Sequence, residues 1–229
     1  MRVVYALYVL TVVAALVFAE GVMLILLINQ VSGNKMYWQL RSKQAGDFVY
    51  LALGDSAAQG LGASQPQKGY VGLIADRVAA QTGKSVKVVN LSVSGARVQD
   101  VVDKQIPQIG NLKPNLVTIE IGGNDVKDFD EEKFTSQYTE LIRLLPKGTY
   151  VSDMPFFQTR PLRRKNAEQA SKIIKRLVST RSDLHFVGLQ SATTKRNTIF
   201  GYAADFFHPN NITYRVWADT FWQVIRGQL

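Results

Sequence analysis

Five short apolar runs, FVYLAL, VKVVNL, NLVTIEI, TYVSD and LHFVGL, alternate with stretches of helical periodicity from Phe48 onward, and this alternation leaves few folds open. The runs are rich in β-branched residues and bounded by turn formers, as strands buried on both faces require. Between them, residues 70–82, 131–145 and 166–179 place apolar side chains at helical spacing, for instance Ala170, Ile173, Ile174, Leu177 and Val178. A last helix is expected over 212–226 through Val216, Trp217, Phe221, Val224 and Ile225. Strand and helix in turn over about 180 residues predict an α/β domain: a mainly parallel sheet covered by helices, with functional loops at the carboxyl ends of the strands.

With 229 residues, 46% of them hydrophobic and 20% charged, the chain can bury one sizeable core. Cysteine is absent, which removes disulfides, thiolate metal sites and a thiol nucleophile together. Two histidines and scattered carboxylates offer little for metal ligation, and the motifs GxxxxGK[ST], strand-linked GxGxxG and GxSxG are missing.

The N-terminus is different in kind. Residues 3–28 are nearly unbroken apolar sequence, long enough to cross a hydrocarbon core of about 30 Å at roughly 1.5 Å per residue. Glu20 costs on the order of 3 kcal/mol there, but sixteen Leu, Ile, Val and Phe residues outweigh it. The expected division is a transmembrane anchor over 1–30, a linker over 31–46 with Tyr37 and Trp38 either at headgroup depth or on the domain, and a catalytic-type domain over 47–229. A cleavable signal is the competing reading, because Val17-Phe18-Ala19 has small-residue spacing, although GVMLILLI then continues the apolar run. Flanking charge, with Lys35, Arg41 and Lys43 after the span, favours a cytoplasmic domain, but long domains translocate largely regardless of charge. A single-pass protein with an extracytoplasmic domain is the expectation.

Three islands sit at the ends of strand runs, LGDSAAQG around Ser56, SVSGA around Gly95 and IGGND around Asn124, and a fourth, DFFHP from Asp205 to Pro209, precedes the last helix. Singly, each has a plain structural meaning. Asp55-Ser56 and Asn124-Asp125 could cap helices, Gly95 could serve a turn, and a histidine beside proline is commonly structural, as His185 inside its strand pattern is expected to be.

In this order and context the islands resemble the SGNH hydrolases, the GDSL esterase and lipase family, over essentially everything from Phe48 onward. The resemblance implies a flavodoxin-like three-layer α/β/α fold, here preceded by the N-terminal transmembrane helix, acting on esters or thioesters without a metal or other cofactor. It also implies Ser56 as nucleophile, Asp205 and His208 as its triad partners, and Ser56, Gly95 and Asn124 as oxyanion hole. Ala57 stands where the family's name has Leu, a position outside the chemistry.

The chemistry has its own logic. A serine hydroxyl needs a positioned base, an imidazole with an unperturbed pKa of about 6.5 can be one near neutral pH, and a carboxylate three residues earlier can orient its other nitrogen. Pro209 should stiffen the turn, and Asn210 or Asn211 should cap the last helix. Met154, Pro155, Phe156 and Phe157 are candidates for an acyl pocket, which suggests a small or medium acyl group.

The net charge of +9 concentrates in Arg160, Arg163, Arg164, Lys165, Lys172, Lys175 and Arg176. A solvated helix face explains such a cluster, and so does docking to anionic lipid or an anionic envelope polymer; nucleic acid is not implied, since no aromatic interleaving accompanies the charge. Two functions follow: a membrane-anchored serine esterase, or a non-catalytic lipid- or polymer-binding module on the same fold. Ester turnover by a fragment beginning near Gln44, against Ser56→Ala, would separate them.

Overall fold

The computed structural model describes residues 2–229, with side chains at Tyr5 and from Val9 onward. Helix α1 (Arg2–Ser42) leads into β1 (Phe48–Gly54), and α2 (Tyr70–Thr82) and β2 (Val86–Asn90) follow. Next come α3 (Val98–Asp100) and α4 (Ile106–Ile109), flanking a π-helical turn over Val101–Gln105, and then β3 (Leu116–Glu120). The chain continues through α5 (Glu131–Leu144), β4 (Thr149–Ser152), α6 (Pro161–Val178), β5 (His185–Val187), α7 (Leu189–Lys195) and α8 (Asn211–Ile225).

The five strands form one parallel sheet in the order β2-β1-β3-β4-β5. Strand periodicity divides the core between its faces. Tyr50 and Ala52 of β1 join Trp38, Tyr70, Ile74, Trp217 and Phe221 on the side covered by α2, α8 and the end of α1. Leu51 and Leu53 join Val98, Phe134, Leu141, Ala170 and Ile174 on the side covered by α5 and α6. This is the three-layer arrangement that the islands implied.

Two boundaries differ from expectation. Helix α6 begins at Pro161 rather than 166, because proline at a first-turn position suits a helix start while the basic residues around it carry no apolar signal. Residues 31–42, expected as a linker, continue α1, and Trp38 is only 3% exposed. Its Nε1 and Asn34 Nδ2 both donate to Gln59 O at 3.0 Å, so burial and hydrogen bonding hold this stretch to the domain. Upstream, α1 is a helix long and apolar enough to span a membrane, as a signal sequence also would be, and residues such as Leu16, Phe18 and Ile25 are more than half exposed.

Candidate active site

The site is built on the end of β1. Gly54 has φ +139°, and a Cβ there would lie 2.3 Å from Glu120 O on the neighbouring strand, so only glycine lets the chain turn out of the sheet at this point. The turn is clamped by Gln105 from the π-helical segment, whose Oε1 accepts from Gly54 N (2.9 Å) and whose Nε2 donates to Gly54 O (2.8 Å). Asp55 Oδ1 then accepts from Ala57 N at 2.9 Å, which fixes Ser56 between them. The chain after Ser56 makes a compact turn, closed by Gln59 N donating to Asp55 O, Gly60 N to Ala57 O and Leu61 N to Ser56 O, without entering a regular helix.

Ser56 Oγ lies 2.9 Å from His208 Nε2, and His208 Nδ1 lies 2.5 Å from Asp205 Oδ2. The Asp205–His208 turn is locally determined. Asp205 Oδ1 accepts from the backbone N–H groups of both Phe207 and His208 at 3.0 Å, and Phe206 takes up φ +51° to close it. His208 O accepts from Ala203 N, and Asn210 Oδ1 caps α8 by accepting from Ile212 N at 2.9 Å. These three side chains are sheltered: Ser56 is 5% exposed, and the His208 and Asp205 side chains are 15% and 19% exposed.

Burial raises the Asp205 carboxyl, but the His208 hydrogen bond and charge, with the two backbone donors, outweigh it and hold the group below the usual carboxylate range. It is therefore ionised, and with Nδ1–H donating to it, Nε2 is left to accept from the serine hydroxyl.

Gly95 and Asn124 come to the same end of the sheet. Val93 N donates to Gly54 O, Ser94 Oγ to Gln59 Oε1, and Asn124 Nδ2 to Ala96 O at 2.9 Å, so the Gly95 turn is tied to the Ser56 turn. The backbone N–H groups of Ser56 and Gly95 donate to no protein acceptor among the described residues. Asn124 differs: its amide also donates to Asp55 Oδ2 at 3.2 Å, so both of its protons are engaged.

A pocket opens beside Ser56 and His208. Pro155, Phe156, Phe157, Phe207, Val216 and Trp217 supply an apolar part of its wall, beside the polar Thr193, Arg196, Asn197, Thr198 and Tyr202, while Met154 is fully buried in the core. Its cavity volume is about 40 Å³. Arg163 lies 4.5 Å over the Phe207 ring and Arg164 5.4 Å over Phe156, so the start of α6 borders the pocket. The basic cluster is thereby divided, because Arg176 lies about 20 Å along the helix axis from Arg163. His185 stacks on Tyr150 at 4.6 Å between ring centroids, in the structural role expected for it.

Two buried acids line the pocket: Asp55, weighed in the sequence only as a helix cap, and Glu120, which the sequence did not single out. Burial pushes Asp55 up to about 6 despite the Ala57 N–H and the His208 charge, and burial with the Asp55 charge holds Glu120 far above the usual carboxylate range. Glu120 Oε2 has no hydrogen-bond partner among the described residues. The only signal in the sequence was an acidic residue closing an otherwise apolar strand.

Residues 52–216 match the model of the GDSL-like lipase/acylhydrolase family. The chain belongs to this family. Among curated proteins, the esterase TesA of Pseudomonas aeruginosa is 37% identical over 86 residues, which are 38% of this chain and 42% of that protein. The uncharacterized protein YpmR of Bacillus subtilis is 34% identical over 97 residues, 41% of this chain and 38% of that one. The aligned stretch thus spans under half the length of either relative. Among solved structures, LAE5 from the metagenome of Lake Arreo, Spain, superposes with a TM-score of 0.65 at 22% identity, covering 79% of this chain and 96% of that one. A variant of Axe2, an acetyl xylan esterase from Geobacillus stearothermophilus, gives 0.63 at 24% identity, covering 78% and 94%. These likenesses establish the GDSL-type α/β fold.

Proposed function

We propose that the protein is a membrane-anchored serine esterase that hydrolyses small or medium acyl esters of a lipid or carbohydrate through Ser56, His208 and Asp205. The observation that carries this reading is the unbroken chain from Ser56 Oγ to His208 Nε2 at 2.9 Å and from His208 Nδ1 to Asp205 Oδ2 at 2.5 Å, at the mouth of an apolar pocket. Ser56 Oγ attacks the ester carbonyl carbon as its proton passes to His208 Nε2. The bond to the alcohol breaks, and the imidazolium returns that proton to the departing oxygen. Water then attacks the acyl-serine, gives its proton to His208, and releases the acid while Ser56 is reprotonated.

The negative charge that develops on the carbonyl oxygen meets the unspent N–H groups of Ser56 and Gly95. Asn124 becomes the third donor by exchanging its longer bond to Asp55 for the oxyanion. These steps use protein groups and water alone, with no cofactor. In this reading α1 is the anchor and the domain lies outside the cytoplasm, consistent with the translocation of long domains regardless of flanking charge.

The test is turnover of p-nitrophenyl acetate and butyrate by the full chain. Ser56→Ala should lower kcat by about 10³-fold or more with the circular dichroism unchanged. Equal rates in parent and variant would remove Ser56 from the reaction.

A further inference from the structure

Helix α1 meets the domain at its catalytic edge. Gln30 Oε1 accepts from Gly62 N at 3.0 Å and Gln30 Nε2 donates to Ala63 O at 3.3 Å. Gly62 lies so close to the triad loop that a Cβ on it would be 2.5 Å from Pro209 O and 3.0 Å from His208 Cβ. Beyond this point α1 runs past Gln59 to Trp38, ends at Ser42, and the chain turns back to begin β1 at Phe48. The helix is therefore antiparallel to β1, and upstream of the buried Leu27 the described part of α1 projects past the carboxyl ends of the strands. Ile28, 69% exposed, closes the apolar run two residues before Gln30, about 3 Å along the axis. A bilayer holding that run has its surface at the level of the His208 loop.

The same edge is dressed for such a surface. Apart from α1 and Leu229, the exposed large apolar residues are Val93, Leu162, Ile199, Phe200, Phe206 and Ile212. Val93 follows β2, Leu162 and Ile212 lie in the first turns of α6 and α8, and the other three flank the triad in the segment joining α7 to α8. Arg160, Arg163 and Arg164 stand among them, Arg160 donating to Asp205 O at 3.0 Å. No carboxylate lies within ion-pair distance of these three among the described residues. Apolar and aromatic side chains interspersed with unpaired arginines match the boundary between anionic headgroups and acyl chains.

We propose that the catalytic edge rests on an anionic bilayer surface, and that the ester cleaved belongs to an amphiphile held in that bilayer, its phosphate or carboxylate facing Arg160, Arg163 and Arg164. This rests on the reading of α1 as an anchor. It adds to that reading the face presented to the membrane and the charge of the substrate. The short pocket then takes only the acyl group next to the scissile bond, while the rest of the amphiphile stays in the lipid.

The chain has no cysteine, so a single nitroxide label can be placed at will. The full chain would carry it at Leu162→Cys, Phe200→Cys, Val17→Cys or Lys84→Cys, reconstituted in phosphatidylcholine vesicles containing phosphatidylglycerol, with depth read from oxygen against nickel-chelate accessibility. Val17 lies in the apolar run, and Lys84 is exposed on the loop that enters β2, at the opposite edge of the sheet. Expected are Val17 in the hydrocarbon, Leu162 and Phe200 at the headgroup boundary, and Lys84 in water, with the two rim labels moving outward in pure phosphatidylcholine. A buried Val17 label with rim labels as aqueous as Lys84 overturns the seating and leaves the anchor standing; an aqueous Val17 label overturns both. Rim depth that ignores lipid charge overturns the assignment of an anionic substrate to the arginines. Rim labels that stay aqueous on vesicles but are immobilised by soluble polyphosphate replace the bilayer with a polymer partner.

Discussion

Asp55 shows how the fold can oppose the ionisation of a side chain beside Ser56. Burial lifts its pKa from 3.8 to about 6, so across that window the folded protein holds a proton that the unfolded chain has released. The stability associated with this group is fully present below about pH 4 and declines as pH rises through about 6. Asp55→Asn should abolish that decline, and urea-unfolding midpoints between pH 4 and 7 check it: a pH slope matching the parent would contradict a raised Asp55. Asp205 has the opposite sign. Its lowered pKa contributes stability above the unfolded value that is lost as pH falls through the folded one. Asp205→Asn should therefore cost stability at neutral pH and lower kcat by about 10³- to 10⁴-fold, because the imidazole then loses its tautomer and its counter-charge. Asn124→Ala, which removes one donor, should cost about 10²- to 10³-fold in kcat.

Among the elements, the C-terminal third of α1 and the π-helical turn carry more than their composition suggests. A fragment beginning at Gln44, natural if 31–46 were a linker, would strip Trp38 from the core and leave Gln59 O without either of its side-chain donors. Relative to a chain beginning at Asn29, it should lose about 3–5 kcal/mol, the usual range for deleting a large buried aromatic side chain, which thermal or urea unfolding would register. Gln105→Ala removes the partner of Gly54 N two residues before Ser56. It should cost about 1–3 kcal/mol and also lower kcat, since Ser56 is aimed from that turn; a stability loss with kcat untouched would make the clamp purely structural.

For the whole molecule, a helix with so many exposed apolar side chains predicts that the full chain stays with membranes through an alkaline carbonate wash, whereas release into the supernatant would favour a cleaved signal. The sheet was legible because each strand is a continuous apolar run, and Tyr50, Leu51, Ala52 and Leu53 are each fully buried wherever their partners lie. The start of α6 was not, because Leu162 points to the surface and the arginines around it give no periodicity. Glu120 was hidden for a related reason: a strand pattern shows an acid without saying whether water reaches it.

By itself the amino-acid order determined the alternating layers, the types of chemical group at the strand ends, and the local Asp205–His208 turn, all of which depend on neighbours a few residues apart. Only the tertiary structure decided that Ser56 meets a histidine 152 positions away, that Asp55 and Glu120 are shut from solvent, and that α1 leaves the domain beside the His208 loop. Those outcomes depend on which distant surfaces bury one another, and no local periodicity encodes that choice.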